Sequence, residues 1–428
     1  MIYRAYPFYY GWIIVAVSFF TVFFVLGTRS CFGLFYTAIL AEYGWGRAET
    51  AGAFSLMMVF HACMAPFTGI LIDRFGPRKL FPMGAVIVGI GLAASSLISE
   101  IWHLYLCFGV ITAMGTNMQS YAPHMSLIPR WFIRKRGLAS GMVLSGLGPG
   151  TMLLALLIGF IIDREGWRYA YIVLSAIIFC VVVPMNALFQ RNGPEEVGQT
   201  IEGAHPNLND QYVSTDKNHR KHNERPIAQE IWTFQAAART KAFWYLIVVG
   251  FAQGIMINTV MVHLAPHTVD LGFSRMLAAS VVGVVGLLGS LGTILFGMLS
   301  DRVGRESGYF LVSFGASIGF LLLILTNYYP SEWLLHTFVI IYGVCQGGIV
   351  SIVAAATGDL FHSGNALGRI ISTQAVSFGL GSATGAYLGG SFFDRSGSYT
   401  MAFIIVLFFI WIGAFSLWAA APHKAKMI

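Results

Sequence analysis

Residues 69–79 read GILIDRFGPRK, and residues 297–305 read GMLSDRVGR. Asp73 and Asp301, the aspartates of the two stretches, stand 228 residues apart. A second pair echoes the first: GFIIDREGWRYAY begins at Gly159 and GSFFDRSGSYTMAF at Gly390, which sets Asp163 and Asp394 231 apart. Gly137 and Gly368, which open the apolar runs before that second pair, are separated by 231 as well. Three nearly equal offsets mark a duplicated unit that fills the chain.

Working outward from these stretches, the 428 residues are 56% hydrophobic and only 11% charged, against about 25% charged in a soluble chain. The composition describes a multi-pass membrane protein. At about 20 residues per crossing, the apolar runs number twelve: 11–35, 50–71, 80–98, 103–127, 137–162, 169–190, 243–264, 277–299, 308–326, 334–357, 370–392 and 400–421. They are too long and too little alternating for barrel strands. The expected fold is an all-α membrane protein of twelve transmembrane helices in two pseudo-symmetric six-helix bundles, residues 1–190 and 243–428. The polar stretch 191–242 is expected to be a cytoplasmic linker, with Ile227 to Lys241 as a possible surface helix.

With the N-terminus inside, 20 of the 26 Lys and Arg fall in loops on the same side as both termini. The positive-inside rule then makes that side cytoplasmic. The net charge of +7 is thereby read as a topology signal, and no nucleic acid is expected as a partner. The five cysteines sit inside apolar runs without metal spacing, and no nucleophile–base pair or phosphate-cradling loop stands out. Neither an enzyme nor a cofactor is expected. A membrane receptor with the linker as its output is the remaining alternative outside transport, and the linker holds no recognisable docking module.

The G-x-x-x-D-R-x-G loop in duplicate, Gly69, Asp73, Arg74, Gly76 and Arg78 in one half and Asp301, Arg302, Gly304 and Arg305 in the other, resembles the signature of the major facilitator superfamily. The resemblance spans the whole chain. It implies a carrier that works by alternating access, with these residues as a gating motif whose aspartates cap a neighbouring helix or pair with loop arginines, locking the two bundles in the outward-open state and releasing them when they rock. Within that superfamily FYYGWIIVAVSFF from Phe8, RSCFGLFYTAILAEYGWGRAET from Arg29, RWFIRKRGLASGMVLSGLGPG from Arg130, GWRYAYIVLS from Gly166 and RNGPEEVGQ from Arg191 resemble the monocarboxylate transporter and oxalate:formate antiporter group. Thr293 stands near the place where members often carry an arginine, and the eleventh run has no lysine, so oxalate is not the expected substrate.

The resemblance implies a binding site at mid-membrane between the first, fourth, seventh and tenth runs. None of the 19 acids falls there, and Arg29 is the charged residue set within apolar sequence on both sides. Arg29 is a candidate to bind a carboxylate through a bidentate contact; snorkelling to the outer interface is its other reading. Asn117, Tyr121 and His124, spaced i, i+4 and i+7, share one face of a continuous helix. Asn258, Tyr342, Gln346 and Gln374 are the matching polar candidates of the second half. For proton coupling the histidines are the groups that titrate near neutrality, and His61 and His263 are the candidates. The expected function is transport of a small organic anion, a monocarboxylate by preference, together with protons, by a monomer in the cell membrane. A carrier or exporter of neutral or drug-like compounds and an anion exchanger are the alternatives.

Overall fold

The computed structural model describes residues 8–202, 232–361 and 367–420. Twelve long helical segments cross the molecule in alternating directions. In the first bundle they are α1 (Gly11–Tyr43), α2 (Arg47–Phe75), α3 (Pro77–Ser95), α4 (Ile101 onward, resuming over Tyr121–Leu127), α5 (Arg136–Glu165) and α6 (Trp167–Phe189). In the second they are α7 (Lys241–Asp270), α8 (Arg275–Val303), α9 (Arg305–Thr326), α10 (Glu332–Leu360), α11 (Leu367–Ser396) and α12 (Thr400–Ala420). Ten are long and apolar enough to span a bilayer as they stand. The other two are α4, which is broken, and α11, whose run of Gly, Ser, Thr and Gln dilutes its apolar content. The face holding Gly11 and Ala420 is called the near face below, and the opposite one the far face.

The repeated D-R-x-G stretches end helices. Gly76, Gly166, Gly304 and Gly397 all have positive φ, between 68° and 92°, a conformation open to glycine and costly for other residues. At Gly76, Gly166 and Gly304 the turn releases the chain into the next helix one residue later, as into Pro77, whose missing N–H is no loss at a first helical position, and after Gly397 the helix begins at Thr400. Two of these turns lie at the near face and two at the far face, so the duplication seen in sequence builds both ends of both bundles.

Several helices outrun their apolar cores. α1 continues eight residues beyond the expected 35, to Tyr43, because Glu42 is not left in lipid: it accepts hydrogen bonds from Trp167 Nε1 and Arg168 Nη1, at 2.6 and 2.7 Å. α7 likewise continues to Asp270. In the opposite sense α4 breaks at Gln119 and Ser120. Pro123 explains the break, since it has no N–H to offer the Gln119 carbonyl and its ring would clash there. Of the surface helix expected over Ile227 to Lys241, residues 227–231 lie outside the described part, Phe234–Ala238 form one short helix, and Lys241 already begins α7.

The segment after α6 straps the near face of the first bundle. Asn192 Oδ1 accepts the backbone N–H of Arg78 at 3.2 Å, and Glu196 pairs with the Arg78 guanidinium at 3.2 Å. Gln199 donates to the Phe8 carbonyl at 3.0 Å and accepts from the Tyr10 N–H at 2.8 Å. Glu202 exchanges backbone hydrogen bonds with Trp131 and Ile133. Residues 191–202 are thus a tie between the first helix, the α2–α3 turn and the α4–α5 loop.

The two bundles touch from the far face down to mid-depth. The α2–α11 seam is joined by Ser55 Oγ donating to the Ala383 carbonyl at 2.8 Å and closes at mid-depth where Gly379 meets Ala62. In the α5–α8 seam Gly148 meets Ser290. Toward the near face the same helices part: at Gly69 of α2, Gly137 and Gly141 of α5 and Gly368 of α11, a Cβ would stand in open space.

Candidate functional site

Arg29 lies at the middle of α1, fourteen residues from its far end at Tyr43, or about 21 Å at 1.5 Å per residue. The longer α1 removes the geometric basis for snorkelling, because the helix carries on well past the arginine. Just beyond it the helix is interrupted at Cys31 (φ −88°, ψ 6°). Among the described residues no side chain pairs with Arg29, and its Nε is sealed from solvent without a partner. His61, fourteen residues from the far end of α2 at Arg47, is close enough to Arg29 to interact with its charge. The Nδ1 of His61 is also buried and unpartnered. A charged guanidinium in a low-dielectric setting needs a counter-charge or water, and the protein around Arg29 supplies no carboxylate.

Asn117 takes part at one remove. Its Nδ2 donates to the His61 carbonyl at 2.8 Å, and its Oδ1 accepts a hydrogen bond from Thr68. It ties α4 to α2 and fixes the backbone that carries His61.

Tyr121 and His124 do not join it. The break at Gln119 and Ser120 removes the continuous helix on which the three would share a face. His124 is fully buried with its ring 4.5 Å from that of Phe81, on the α3 side, and Tyr121 is half exposed.

In the second bundle most of the candidates are occupied by packing. Asn258 donates to Ser382 Oγ at 2.8 Å, Tyr342 Oη donates to the Met256 carbonyl at 3.3 Å, and Gln374 is bonded to Thr357. Gln346 is half-buried, and no side-chain partner is described for it. Thr293, near the place where members of the resembled group often carry an arginine, donates to the carbonyls of Gly289 and Gly347.

The gating motif divides. Asp301 is not placed between the bundles: it pairs with Arg305 at 2.6 Å, and Arg305 reaches on to Asp359 at 2.9 Å, all within the second bundle. Arg78 pairs with Glu196 of the strap. The side chain of Asp73 lies outside the described part. Arg74 sits exposed at the end of α2 and Arg302 at the end of α8.

What joins the bundles is a far-face cluster that the sequence reading passed over. Arg47, the first residue of α2, forms two hydrogen bonds with Asp270 at the end of α7, at 2.6 and 2.8 Å. It also donates to Tyr399 Oη and lies over the ring of Phe393, 3.5 Å from its centroid. Asp394 accepts the backbone N–H groups of Arg47 and Ala48, both at 2.8 Å. Tyr36 donates to the Arg47 carbonyl at 3.1 Å. His263 sits two turns inside α7, donating or accepting at the Ala386 carbonyl at 2.7 Å, its ring edge-on to Tyr36. The repeat carried a signal for this cluster: shifted by 228, Arg47 falls on Arg275 and Glu42 on Asp270, charged residues at matching helix ends.

This arrangement, two helical bundles joined at one face with Arg29 at mid-depth unpaired among the described residues, agrees with what the chain is similar to. Residues 18–368 match the model of the Major Facilitator Superfamily. The chain is 23% identical over 416 residues to monocarboxylate transporter 12 of Rattus norvegicus, covering 92% of this chain and 82% of that protein. It is 24% identical over 417 residues to monocarboxylate transporter 13 of Bos taurus, covering 97% and 90%. Among solved structures, a bacterial homologue of the human lysosomal transporter Spinster, in an inward-facing and unoccupied conformation, superposes with a TM-score of 0.74 at 15% identity, over 97% of this chain and 98% of that one. The chain therefore belongs to the major facilitator superfamily and is a transporter that resembles the monocarboxylate transporter group.

Proposed function

We propose that the protein carries a small monocarboxylate across the cell membrane by alternating access, with proton symport, and that Arg29 holds the substrate carboxylate. The observation that carries this reading is the unpartnered Arg29 at mid-depth, with His61 at the same helical depth and within reach of its charge. An anion entering from the near face supplies the missing counter-charge, and a planar carboxylate matches the fork of a guanidinium. The names of the relatives, monocarboxylate transporters, point the same way. His61 is the proton-coupling residue in this reading. It is beside the anion site, and imidazole is the side chain whose ordinary titration lies nearest neutral pH. The near face is then cytoplasmic, as the distribution of Lys and Arg favours.

The test is uptake of labelled monocarboxylates into reconstituted vesicles, with and without an inward proton gradient. Wild type is expected to accumulate them under the gradient. Arg29→Gln should lose uptake by at least a hundredfold, and Arg29→Lys should retain a part of it, because it keeps the charge and loses the fork. His61→Gln should keep exchange of internal for external substrate and lose stimulation by the gradient. Normal uptake by Arg29→Gln would refute the anion site. Full gradient stimulation in His61→Gln would refute the coupling role.

A further inference from the structure

The site is chemically one-sided. In the first bundle it offers a guanidinium and an imidazole. Across the interior of α7 to α12 the charged residues stand only at helix ends, and of the polar groups there Asn258, Tyr342, Gln374 and Thr293 are engaged within the bundle. Two amides are left over. Gln253 of α7 is 8% exposed and Gln346 of α10 half-buried, and among the described residues neither has a hydrogen-bond partner.

Their positions set them at a similar depth on α7 and α10. The Tyr342–Met256 hydrogen bond joins α10 to α7. The two helices run in opposite directions, so one turn toward the near face is four residues onward from Tyr342 and three back from Met256. Those steps arrive at Gln346 and Gln253, at matching register positions of α10 and α7, with the amide nitrogen of Gln346 toward Gly289 of α8. Gln346 is fourteen residues from the far end of α10 and Gln253 seventeen from that of α7. Arg29 and His61 are each fourteen residues from theirs, so all four lie within about 5 Å of one depth. Among the described residues neither amide is sealed from solvent or engaged by the protein, so both are free to bond to water or to a ligand in its place.

We infer that Gln253 and Gln346 are specificity residues that read a neutral hydrogen-bonding group at the end of the substrate away from its carboxylate. This rests on the anion site proposed above and narrows it. The preferred substrate is a monoanion with a hydroxyl, carbonyl or amide at its other end. A second carboxylate would meet no cation there, and a purely apolar tail would leave both amides unpaired.

The test compares three probes of equal chain length in reconstituted vesicles: butyrate, 4-hydroxybutyrate and succinate. Wild type should take up 4-hydroxybutyrate about tenfold better than either of the others. Gln253→Met and Gln346→Met, close in volume and without the amide, should abolish the preference, bringing 4-hydroxybutyrate and butyrate to one level with butyrate uptake at or above that of wild type. Butyrate thereby reports that each variant is folded and active. Equal uptake of butyrate and 4-hydroxybutyrate by wild type, a preference for succinate, or equal loss of both monoanions in the methionine variants overturns the amide role. If uptake of butyrate depends on Arg29 while any of these holds, only the amide reading falls. If none of the three probes is carried, or their uptake ignores Arg29→Gln, the anion site falls with it.

Discussion

The guanidinium of Arg47 and the carboxylate of Asp270 join the two bundles at the far face through paired hydrogen bonds of 2.6 and 2.8 Å. The two residues are 223 positions apart in the chain, and they separate whenever the far face opens. The side chains are only 17% and 34% exposed, so the pair is worth more than an open surface contact. Charge-assisted hydrogen bonds contribute about 1.5–3 kcal/mol each way, which corresponds to roughly ten- to hundredfold in a conformational equilibrium. Asp270→Asn is therefore expected to raise the far-open population by at least tenfold. The measurement is the labelling rate of a cysteine placed at Ser55, in a chain whose native cysteines are replaced by alanine, with an impermeant thiol reagent on the far-face side. An unchanged rate would mean that the pair does not hold the seal. Exchanging the two residues should restore it only in part, because an aspartate at 47 would face Asp394.

Asp394 supplies a cap that α2 lacks. The residue before α2 is Gly46, which has no side chain to accept the free N–H groups of the first turn. Asp394, from the other bundle, accepts two of them at 2.8 Å each. Capping residues are typically worth about 1 kcal/mol, here gained only when the far face is closed. Asp394→Ala should raise the Ser55 labelling rate about fivefold, and Asp394→Asn, which keeps one acceptor oxygen, by less. Equal effects of the two would argue that charge and not capping is what matters.

Close approach of backbones sets the third expectation. A Cβ at Gly390 would stand 2.6 Å from the Arg47 carbonyl carbon and the Ala48 nitrogen, and a backbone atom moves aside less readily than a side-chain end. Gly390→Val should keep the far face from closing. Labelling at Ser55 should become fast and independent of substrate, and transport should fall by tenfold or more with the protein still folded. Normal transport would show that the seam closes elsewhere.

The parts legible in the sequence are those with a local cause. D-R-x-G turns, twelve apolar runs and the duplication follow from glycine conformation and hydropathy, and the structure has them. Span ends are not legible where a charged residue is neutralised by a distant one: Glu42 falls outside the apolar runs, and its partners, Trp167 and Arg168, are more than a hundred positions away. With α1 and α7 cut short, Asp270 and Glu42 were left out of the helices, and the Arg47 cluster went unseen. The shared face of Asn117, Tyr121 and His124 failed for a local reason that was available, Pro123. Gln253 and Gln346 differ from Asn258 and Tyr342 only in having no partner described for them, and sequence alone does not carry that distinction.

Asp301 and Arg305 give the last expectation, since the resemblance implies for their motif a lock between bundles in the outward-open state. Here Arg305 connects Asp301 at the end of α8 to Asp359 at the end of α10 and donates to Ser300 Oγ at 2.7 Å. All four belong to one bundle, and rigid rocking of that bundle carries them along together. Both aspartates are well exposed, at 63% and 49%, so water takes over when the arginine is removed, and the loss is about 1 kcal/mol. Arg305→Gln should lower the midpoint of thermal unfolding in detergent by a few degrees. The Ser55 labelling rate should not change. A large shift in labelling with no loss of thermal stability would return this cluster to the role of a gate, with a partner across the groove that forms only when the near face closes.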